Sequence, residues 1–249
     1  MQNRVTKAMV LAAGEGTRLR PLTLETPKPL IPIAGIPLIE HILRWLASHG
    51  IHEAAINLCH RGDKIRAYLG EVTDIGMKIV YSQEDNLLGT AGGVKKMEPF
   101  FDGTFIVFYG DNLTDFDLTA MIEYHYEKVA AATIAVFETP RPWEAGILKL
   151  NEDKTVVKLV EKPQPDAGLG NLANGGVYIL ERDILQYIPE GFADFAYDVF
   201  PRVLEAGLPV YGYQLSKDDY FIDIGTMVNY NKANTDATEG RIRLLSSRP

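Results

Sequence analysis

The chain has 249 residues, of which 46% are hydrophobic and 23% are charged. This size and composition fit a globular protein with a large core and exclude disorder for most of the chain. The formal net charge of -8 opposes general nucleic-acid binding, because that binding neutralises phosphates with Lys and Arg. A small phosphorylated ligand remains compatible with this charge if it meets a local cationic pocket.

Cysteine content and the N-terminal segment limit the chemistry and the setting. Cys59 is the one cysteine in the sequence, so neither an intramolecular disulfide nor a cysteine-based zinc site can be built. The apolar run near the N-terminus is too short for a membrane span or for a convincing signal peptide. We therefore expect a cytoplasmic protein with no membrane partner.

Apolar runs and helical periodicity alternate along the first half of the chain. They predict strands at 7–11, 53–58, 78–81 and 104–109, and helices at 37–49, 64–69, 91–97 and 118–128. Strand, crossover and strand repeated in this way indicate a Rossmann-like α/β fold, with a mostly parallel sheet and helices on both faces.

The pattern changes in the second half, where short turns join strands predicted at 132–137, 146–150 and 155–160. Such a run indicates a small, partly antiparallel extension, which we expect to carry the substrate-binding half. The sequence predicts a single domain over residues 1–240 and a C-terminal tail at 241–249.

A glycine-rich segment at 11–29 follows the first predicted strand directly. Gly14 and Gly16 allow backbone N–H groups to turn toward a phosphate chain without an intervening Cβ, while Arg18 and Lys28 supply positive charge. The segment is therefore suited to a polyphosphate.

Two common phosphate loops do not match this segment. A Walker A loop needs Lys after its second glycine, and here Thr17 follows Gly16. A dinucleotide-binding fingerprint needs a third glycine, and Leu19 stands at that position.

The segment resembles the motif of the nucleoside-diphosphate-sugar pyrophosphorylases, G-x-G-T-R-[LM]-x-P-L-T-x-x-x-P-K-P, which matches residues 14–29 without a gap. Further motifs of that family follow in order: LGTAG at 88–92, GD at 110–111, EKP at 161–163, NGGVY at 174–178 and FIDIGT at 221–226. The resemblance spans roughly residues 7–230. It implies the nucleotide-diphospho-sugar transferase fold and a reaction of an NTP with a sugar 1-phosphate that releases pyrophosphate.

The resemblance also implies roles for four charged residues. Arg18 would hold the β- and γ-phosphates, and Lys28 would lie near the α-phosphate. Asp111 and Asp223 each follow or end an apolar run, and the resemblance assigns both to Mg²⁺, a hard ion that prefers oxygen ligands. Arg18, Lys28 and Asp111 are the expected catalytic residues.

Two further groups would bind the substrates. For the sugar 1-phosphate, Lys162 would bind the phosphate and Glu161, Asn174 and the Gly146 backbone would bind hydroxyls, although without the resemblance 161–162 reads as a solvated charge pair. The expected nucleotide-binding residues are Leu11, Ala13, Gly14, Gly16, Thr17, Gln83, Gly89 and Thr90.

Several questions about substrate and assembly stay open at this stage. The 88–93 segment looks most like mannose-1-phosphate guanylyltransferases, so GTP with mannose 1-phosphate is our first expectation. UTP or dTTP with glucose 1-phosphate or N-acetylmuramate 1-phosphate, or GTP with heptose 1-phosphate, is the alternative. A catalytically silent nucleotide-sugar-binding regulator and a cytidylyltransferase for non-sugar alcohol phosphates are weaker alternatives. No hexapeptide repeat is visible, which favours a single activity, and related enzymes are often dimers or tetramers.

Overall fold

The computed structural model describes residues 5–72, 74–165 and 167–245. Its strands are β1 (Lys7–Leu11), β2 (Pro32–Ile33), β3 (Ile36–Pro37), β4 (Glu53–Leu58), β5 (Lys78–Gln83), β6 (Phe105–Tyr109), β7 (Asn112–Thr114), β8 (Ala132–Glu138), β9 (Gly146–Leu150), β10 (Val156–Glu161), β11 (Leu172–Leu180), β12 (Val210–Gln214) and β13 (Phe221–Asp223). Its α-helices are α1 (Leu38–Ser48), α2 (Gly62–Glu71), α3 (Gly89–Lys96), α4 (Leu118–Glu127), α5 (Phe200–Glu205) and α6 (Met227–Thr238).

The chain folds into two compact units. Of the described residues, the first unit comprises Thr6–Leu87, Phe108–Phe116 and Lys217 to Leu245, and the second comprises Val5, Leu88–Val107 and Asp117–Ser216. The chain passes from the second unit to the first within β6.

The first unit contains the parallel strands β1, β4 and β5. Met9 of β1 pairs with Ala55 of β4, and Ala55 pairs in turn with Val80 of β5. The centre of β1 is fully buried, which explains its unbroken apolar sequence, since strands buried on both faces do not alternate in polarity.

Helix α1 packs in the same unit through its apolar face. Leu38, Ile42 and Leu46 are buried at helical spacing. Trp45 lies against the rings of Phe108 and Phe116, and its indole N–H donates to the Phe116 carbonyl at 3.2 Å.

The second unit contains the antiparallel extension. β11 pairs antiparallel with β8 and β9, β9 pairs antiparallel with β10, and β12 pairs parallel with β8. Tyr178 of β11 packs against Phe195 and Phe200, and all three side chains are fully buried. These rings form part of the core of this unit.

The predicted fold class is confirmed, because parallel strands alternate with helices in the first half and an antiparallel extension follows. β1, β4 and β9 begin and end where the sequence predicts. The sequence analysis did not predict β11, β12, α5 or α6. Of the predicted tail at 241–249, residues 246–249 lie outside the described residues, while Arg241 and Arg243 donate backbone hydrogen bonds to the Asp236 carbonyl and to Asp115 Oδ2.

The described residues include no helix that is both long and apolar enough to cross a membrane.

The ends of β1 and β6 meet at a contact that only glycine allows. The Gly110 N–H donates to the Leu11 carbonyl at 2.9 Å, and a Cβ added at Gly110 would lie 2.5 Å from that oxygen. We expect Gly110→Ala to lower the free energy of unfolding by about 1–3 kcal/mol, because the backbone must move to relieve the overlap.

Denaturant unfolding of Gly110→Ala and of Gly103→Ala measures this effect. A Cβ at Gly103 meets nothing within 4 Å, so the control should stay within about 0.5 kcal/mol of the wild type. Equal stability of the two variants would contradict the prediction.

Candidate active site

The loop after β1 is held in shape by contacts among its own motif residues. Gly16 adopts a left-handed conformation with φ of 66°, and a Cβ there would lie 3.0 Å from side-chain atoms of both Lys28 and Thr23. The Thr23 hydroxyl donates to the Gly16 carbonyl at 2.9 Å. The loop therefore folds back on itself, and Lys28 packs against its glycine turn.

This fold-back places Lys28 between two carboxylates. Lys28 Nζ lies 2.8 Å from Asp111 Oδ2 and 3.7 Å from Asp223 Oδ1, and Arg18 Nη2 lies 3.9 Å from Asp223 Oδ2. The Lys28 side chain is only 9% exposed, whereas that of Arg18 is 66% exposed. Four residues separated by up to 205 positions thus meet in the first unit, with their charges balanced.

Strand pairing explains why the two aspartates are neighbours. Asp111 precedes β7 and Asp223 ends β13, and these strands pair antiparallel with Asn112 opposite Asp223. The Ile224 N–H donates to the Asp111 carbonyl at 2.9 Å. The backbone therefore fixes the distance between the two carboxylates.

Hydrogen bonds from the residues that follow Asp223 hold it in place. The Gly225 N–H donates to Asp223 Oδ1 at 2.6 Å, and Asn229 Nδ2 donates to the Asp223 carbonyl at 2.7 Å. A Cβ at Gly225 would lie 2.7 Å from Asp223 Oδ1 and 2.8 Å from Arg18 Nη2. Thr226 caps α6 by accepting from the Asn229 N–H, which accounts for the Gly-Thr pair in the FIDIGT motif.

Burial and the neighbouring aspartate both act on the Asp223 carboxyl. Burial raises the pKa of the Asp223 carboxyl above its ordinary value, and the nearby Asp111 raises it further, while Lys28 and Arg18 act in the opposite direction. The charged form of Asp223 therefore costs the folded protein free energy.

A hard divalent cation matches these oxygens. Among the described residues no group of three or more His, Cys, Asp or Glu side chains could hold a metal ion, so any ion here would rely on this carboxylate pair and on ligands from a substrate.

The residues expected to bind the sugar phosphate lie in the second unit. Glu161 at the end of β10 pairs with Gly146 of β9, and a Cβ at Gly146 would lie 2.6 Å from Glu161 Oε2 and 3.6 Å from Asn174 Cβ. The Lys162 N–H donates to the Ala145 carbonyl, and its φ of 45° turns the chain at this point. Burial raises the pKa of Glu161, while the Lys162 charge acts in the opposite direction.

Asn174 is engaged within its own strand. Its Nδ2 donates to the Tyr178 hydroxyl at 2.8 Å, and its Oδ1 accepts from the Gly176 N–H at 2.9 Å. Its expected contact with sugar hydroxyls stays a prediction.

The expected nucleotide-binding residues fall into two groups. Leu11, Ala13, Gly14, Gly16, Thr17 and Gln83 belong to the first unit, where Gly14, Thr17 and Gln83 are exposed. Gly89 and Thr90 belong to the second unit.

The second group is bound to the loop at 193–195. A Cβ at Gly89 would lie 2.3 Å from the Ala193 carbonyl oxygen. The Thr90 hydroxyl donates to Asp194 Oδ2 at 2.9 Å and accepts from the Phe195 N–H. The start of α3 is therefore fixed to the loop at 193–195.

Comparison with known proteins identifies the family to which this chain belongs. The model of the nucleotidyl transferase family matches residues 7–240. The chain belongs to this family. The resemblance carried by the loop at 14–29 is thereby confirmed.

Two curated relatives of the family are similar along most of the chain. UTP–glucose-1-phosphate uridylyltransferase of Synechocystis sp. is 38% identical over 242 residues, which cover 91% of this chain and 62% of that protein. Mannose-1-phosphate guanylyltransferase of Mycobacterium tuberculosis is 32% identical over 243 residues, which cover 96% of this chain and 67% of that protein. The chain thus spans about three fifths to two thirds of the length of these relatives.

A solved structure has the same fold. HddC from Yersinia pseudotuberculosis, complexed with GMP-PN, superposes with a TM-score of 0.80 at 26% identity, and the match covers 94% of this chain and all of that chain. The structural match and the family assignment together confirm the predicted nucleotide-diphospho-sugar transferase fold.

Lys28 lies closer to Asp111 than to Asp223, and this difference leads to opposite predictions for the stability of the two Asp→Asn variants at neutral pH. Asp223→Asn should raise the free energy of unfolding by less than about 1 kcal/mol, since it removes a charge that folding disfavours but that water partly screens at a side chain 41% exposed. Asp111→Asn should lower it by about 1–3 kcal/mol, since it deprives the buried Lys28 of its nearest carboxylate.

Denaturant unfolding at several pH values tests both effects. The pKa of Asp223 is raised in the folded state from an ordinary 3.8, so the gain from Asp223→Asn should vanish below about that pH and grow as the pH rises. A loss of stability for Asp223→Asn at neutral pH would contradict this assignment of charges.

Proposed function

We propose that the chain is a sugar-1-phosphate nucleotidyltransferase, which converts an NTP and a sugar 1-phosphate into an NDP-sugar and pyrophosphate. The observation that carries the proposal is the cluster of Arg18, Lys28, Asp111 and Asp223, in which two cations and two carboxylates meet beside a glycine-rich loop. Family membership and the activities named for the two curated relatives support it.

The reaction needs one displacement. An oxygen of the sugar 1-phosphate forms a bond to the α-phosphorus, the bond from that phosphorus to the bridging oxygen breaks, and pyrophosphate leaves with the electron pair. No covalent enzyme intermediate is required, so the protein contributes positioning and charge neutralisation.

The roles we propose are those that the family resemblance implies, and the exposure and charge of the residues are compatible with them. Arg18 is exposed and only loosely paired with Asp223, at 3.9 Å, which is compatible with a role in holding the β- and γ-phosphates and stabilising the departing pyrophosphate. Lys28 is buried and held on a fixed loop, which suits a group that must meet the α-phosphate at one position. In the second unit, Lys162 binds the phosphate of the sugar 1-phosphate, and Glu161, Asn174 and the Gly146 backbone bind its hydroxyls.

We propose that Asp111 and Asp223 hold Mg²⁺. One ammonium group already lies within 3.7 Å of an oxygen from each carboxylate, so both can share a single cation. When bound, Mg²⁺ supplies charge neutralisation at the phosphate oxygens of the nucleotide.

For the substrates we propose GTP with mannose 1-phosphate. The guanylyltransferase of Mycobacterium tuberculosis and the HddC complex with GMP-PN support a guanine nucleotide. The second candidate is UTP with glucose 1-phosphate, because the Synechocystis uridylyltransferase is 38% identical. We further propose a cytoplasmic protein that assembles as a dimer or tetramer.

Pyrophosphate release tests the reaction. Purified protein with Mg²⁺ should release pyrophosphate and form an NDP-sugar with at least one pair from a panel of ATP, CTP, GTP, UTP and dTTP with the 1-phosphates of glucose, mannose, heptose and N-acetylmuramate. Arg18→Met should lower kcat by about 10²–10³-fold, because it removes charge stabilisation of the leaving group.

Arg20→Met is the matched control, because Arg20 is an exposed arginine two residues away that pairs only loosely with Glu15, at 3.9 Å. Its kcat should stay near the wild-type value. Nucleotide-sugar binding without pyrophosphate release would favour a silent regulator, and equal loss in both variants would contradict the role of Arg18.

Lys28 and a divalent cation need the same carboxylate oxygens, so we expect them to compete. Lys28→Met should raise the affinity for free Mn²⁺, without nucleotide, by about tenfold or more, because a unit charge about 4 Å away is worth a few kcal/mol near a protein surface. Electron paramagnetic resonance of unbound Mn²⁺ measures this affinity.

Lys64→Met is the control, since Lys64 Nζ donates to the Glu25 carbonyl at 2.7 Å rather than to either aspartate. It should leave the affinity unchanged, and Asp111→Asn should weaken it. Unchanged or weaker Mn²⁺ binding by Lys28→Met would contradict the proposal that Lys28 and the cation compete for the same carboxylate oxygens.

A further inference from the structure

A buried polar chain runs beneath the loop of the first unit. The Ala12 N–H donates to Asn57 Oδ1 at 2.7 Å, and Asn57 Nδ2 donates to Glu84 Oε1 at 2.8 Å. Asn57 and Glu84 are each only 2% exposed. Neither residue belongs to any of the family motifs found in the sequence.

The chain connects three neighbouring strands where they end. Ala12 is the first residue after β1, Asn57 lies in β4 opposite Leu11, and Glu84 follows the last residue of β5. The Glu84 N–H also donates to the Leu58 carbonyl at 2.7 Å. Side-chain and backbone bonds thus fix the first loop residue relative to the end of β5.

The orientation of the Asn57 amide is determined by its partners. A backbone N–H can only donate, so the atom facing Ala12 is the oxygen, and the nitrogen therefore faces Glu84. An ionised aspartate of the same size could only accept, whereas the amide both accepts from Ala12 and donates to Glu84.

Filling a core with hydrogen-bonded polar side chains brings no advantage in stability over apolar packing. A buried carboxylate costs free energy unless it is hydrogen-bonded, and apolar residues of similar volume often stabilise a core at least as well. The benefit of this arrangement therefore lies in the position that it enforces on Ala12.

We propose that Asn57 and Glu84 are positioning residues for the nucleotide. They fix Ala12, and with it the adjacent N–H groups of Ala13 and Gly14, at a set distance from Gln83, which precedes Glu84. The inference rests on the proposed function, in which these backbone groups and Gln83 bind the base and ribose.

A reversal of the hydrogen bond tests the proposal. Asn57→Asp places two carboxylates together and should raise KM for the NTP by about tenfold or more, while KM for the sugar 1-phosphate stays within about twofold. Glu84→Gln can still accept from Asn57 and should change little. In the double variant, the new amide at position 84 donates to the new carboxylate at position 57, which still accepts from Ala12. KM for the NTP should therefore return toward the wild-type value.

Two further variants separate positioning from folding. Ser82→Ala removes a buried hydroxyl from the neighbouring strand and should leave KM for the NTP unchanged. Asn57→Ser is neutral and too short to reach both partners, so it replaces Asn57→Asp if thermal unfolding shows that the latter does not fold.

Three results would overturn the inference: equal changes in both KM values, a double variant that does not recover, or an Asn57→Ser variant with wild-type KM for the NTP. If the wild type binds NTPs but releases no pyrophosphate, the proposed function fails, and the same variants are compared by calorimetric Kd for GTP and UTP. A wild type that binds neither nucleotide overturns the inference as well.

Discussion

The ion pair between Lys28 and Asp111 is the interaction on which the candidate site depends. A lysine that is only 9% exposed must have a carboxylate partner, because an unpaired buried charge would cost several kcal/mol. The pair therefore fixes the loop after β1 against the end of β6, over a separation of 83 residues. Gly16 and Thr23 in turn shape the loop around the Lys28 side chain.

The elements that the sequence predicted well are those whose apolar pattern has one interpretation. β1 is a short buried run that ends in glycine-rich sequence, and α1 carries buried residues at helical spacing. β11 was missed because Asn174, Gly175 and Gly176 interrupt it as a turn would, and its pairing with β8 shifts register there. α6 was missed because it has no apolar stripe, with Ala233 and Asp236 as its buried residues.

The charged residues of the candidate site were predictable from the sequence, but the residues that support them were not. The motifs identified Arg18, Lys28, Asp111 and Asp223, and the position of each aspartate at the end of an apolar run indicated why they meet. The buried chain through Asn57 and Glu84 was not predictable, because 27 residues separate the two and no local pattern indicates a side-chain pair across strands. The contact of Thr90 with Asp194, across 104 residues, was hidden for the same reason.

The two units show different ways of preparing a site. In the first unit, opposite charges balance around Lys28, so the proposed phosphates and cation would find their charged partners already in place. In the second unit, Gly146 leaves room for the Glu161 carboxylate, and burial raises its pKa. Both arrangements place charge where burial makes it costly, which is typical of sites that trade stability for function.

We propose that Asp111 and Asp223 share one divalent cation beside a triphosphate held by the loop. Anomalous diffraction from crystals grown with Mn²⁺ and a non-hydrolysable NTP analogue tests it most directly. We expect a single strong peak about 2.0–2.3 Å from an oxygen of each aspartate, with the phosphates against Arg18 and Lys28. A peak bound by only one of the two carboxylates, or phosphates placed away from the loop, would contradict it.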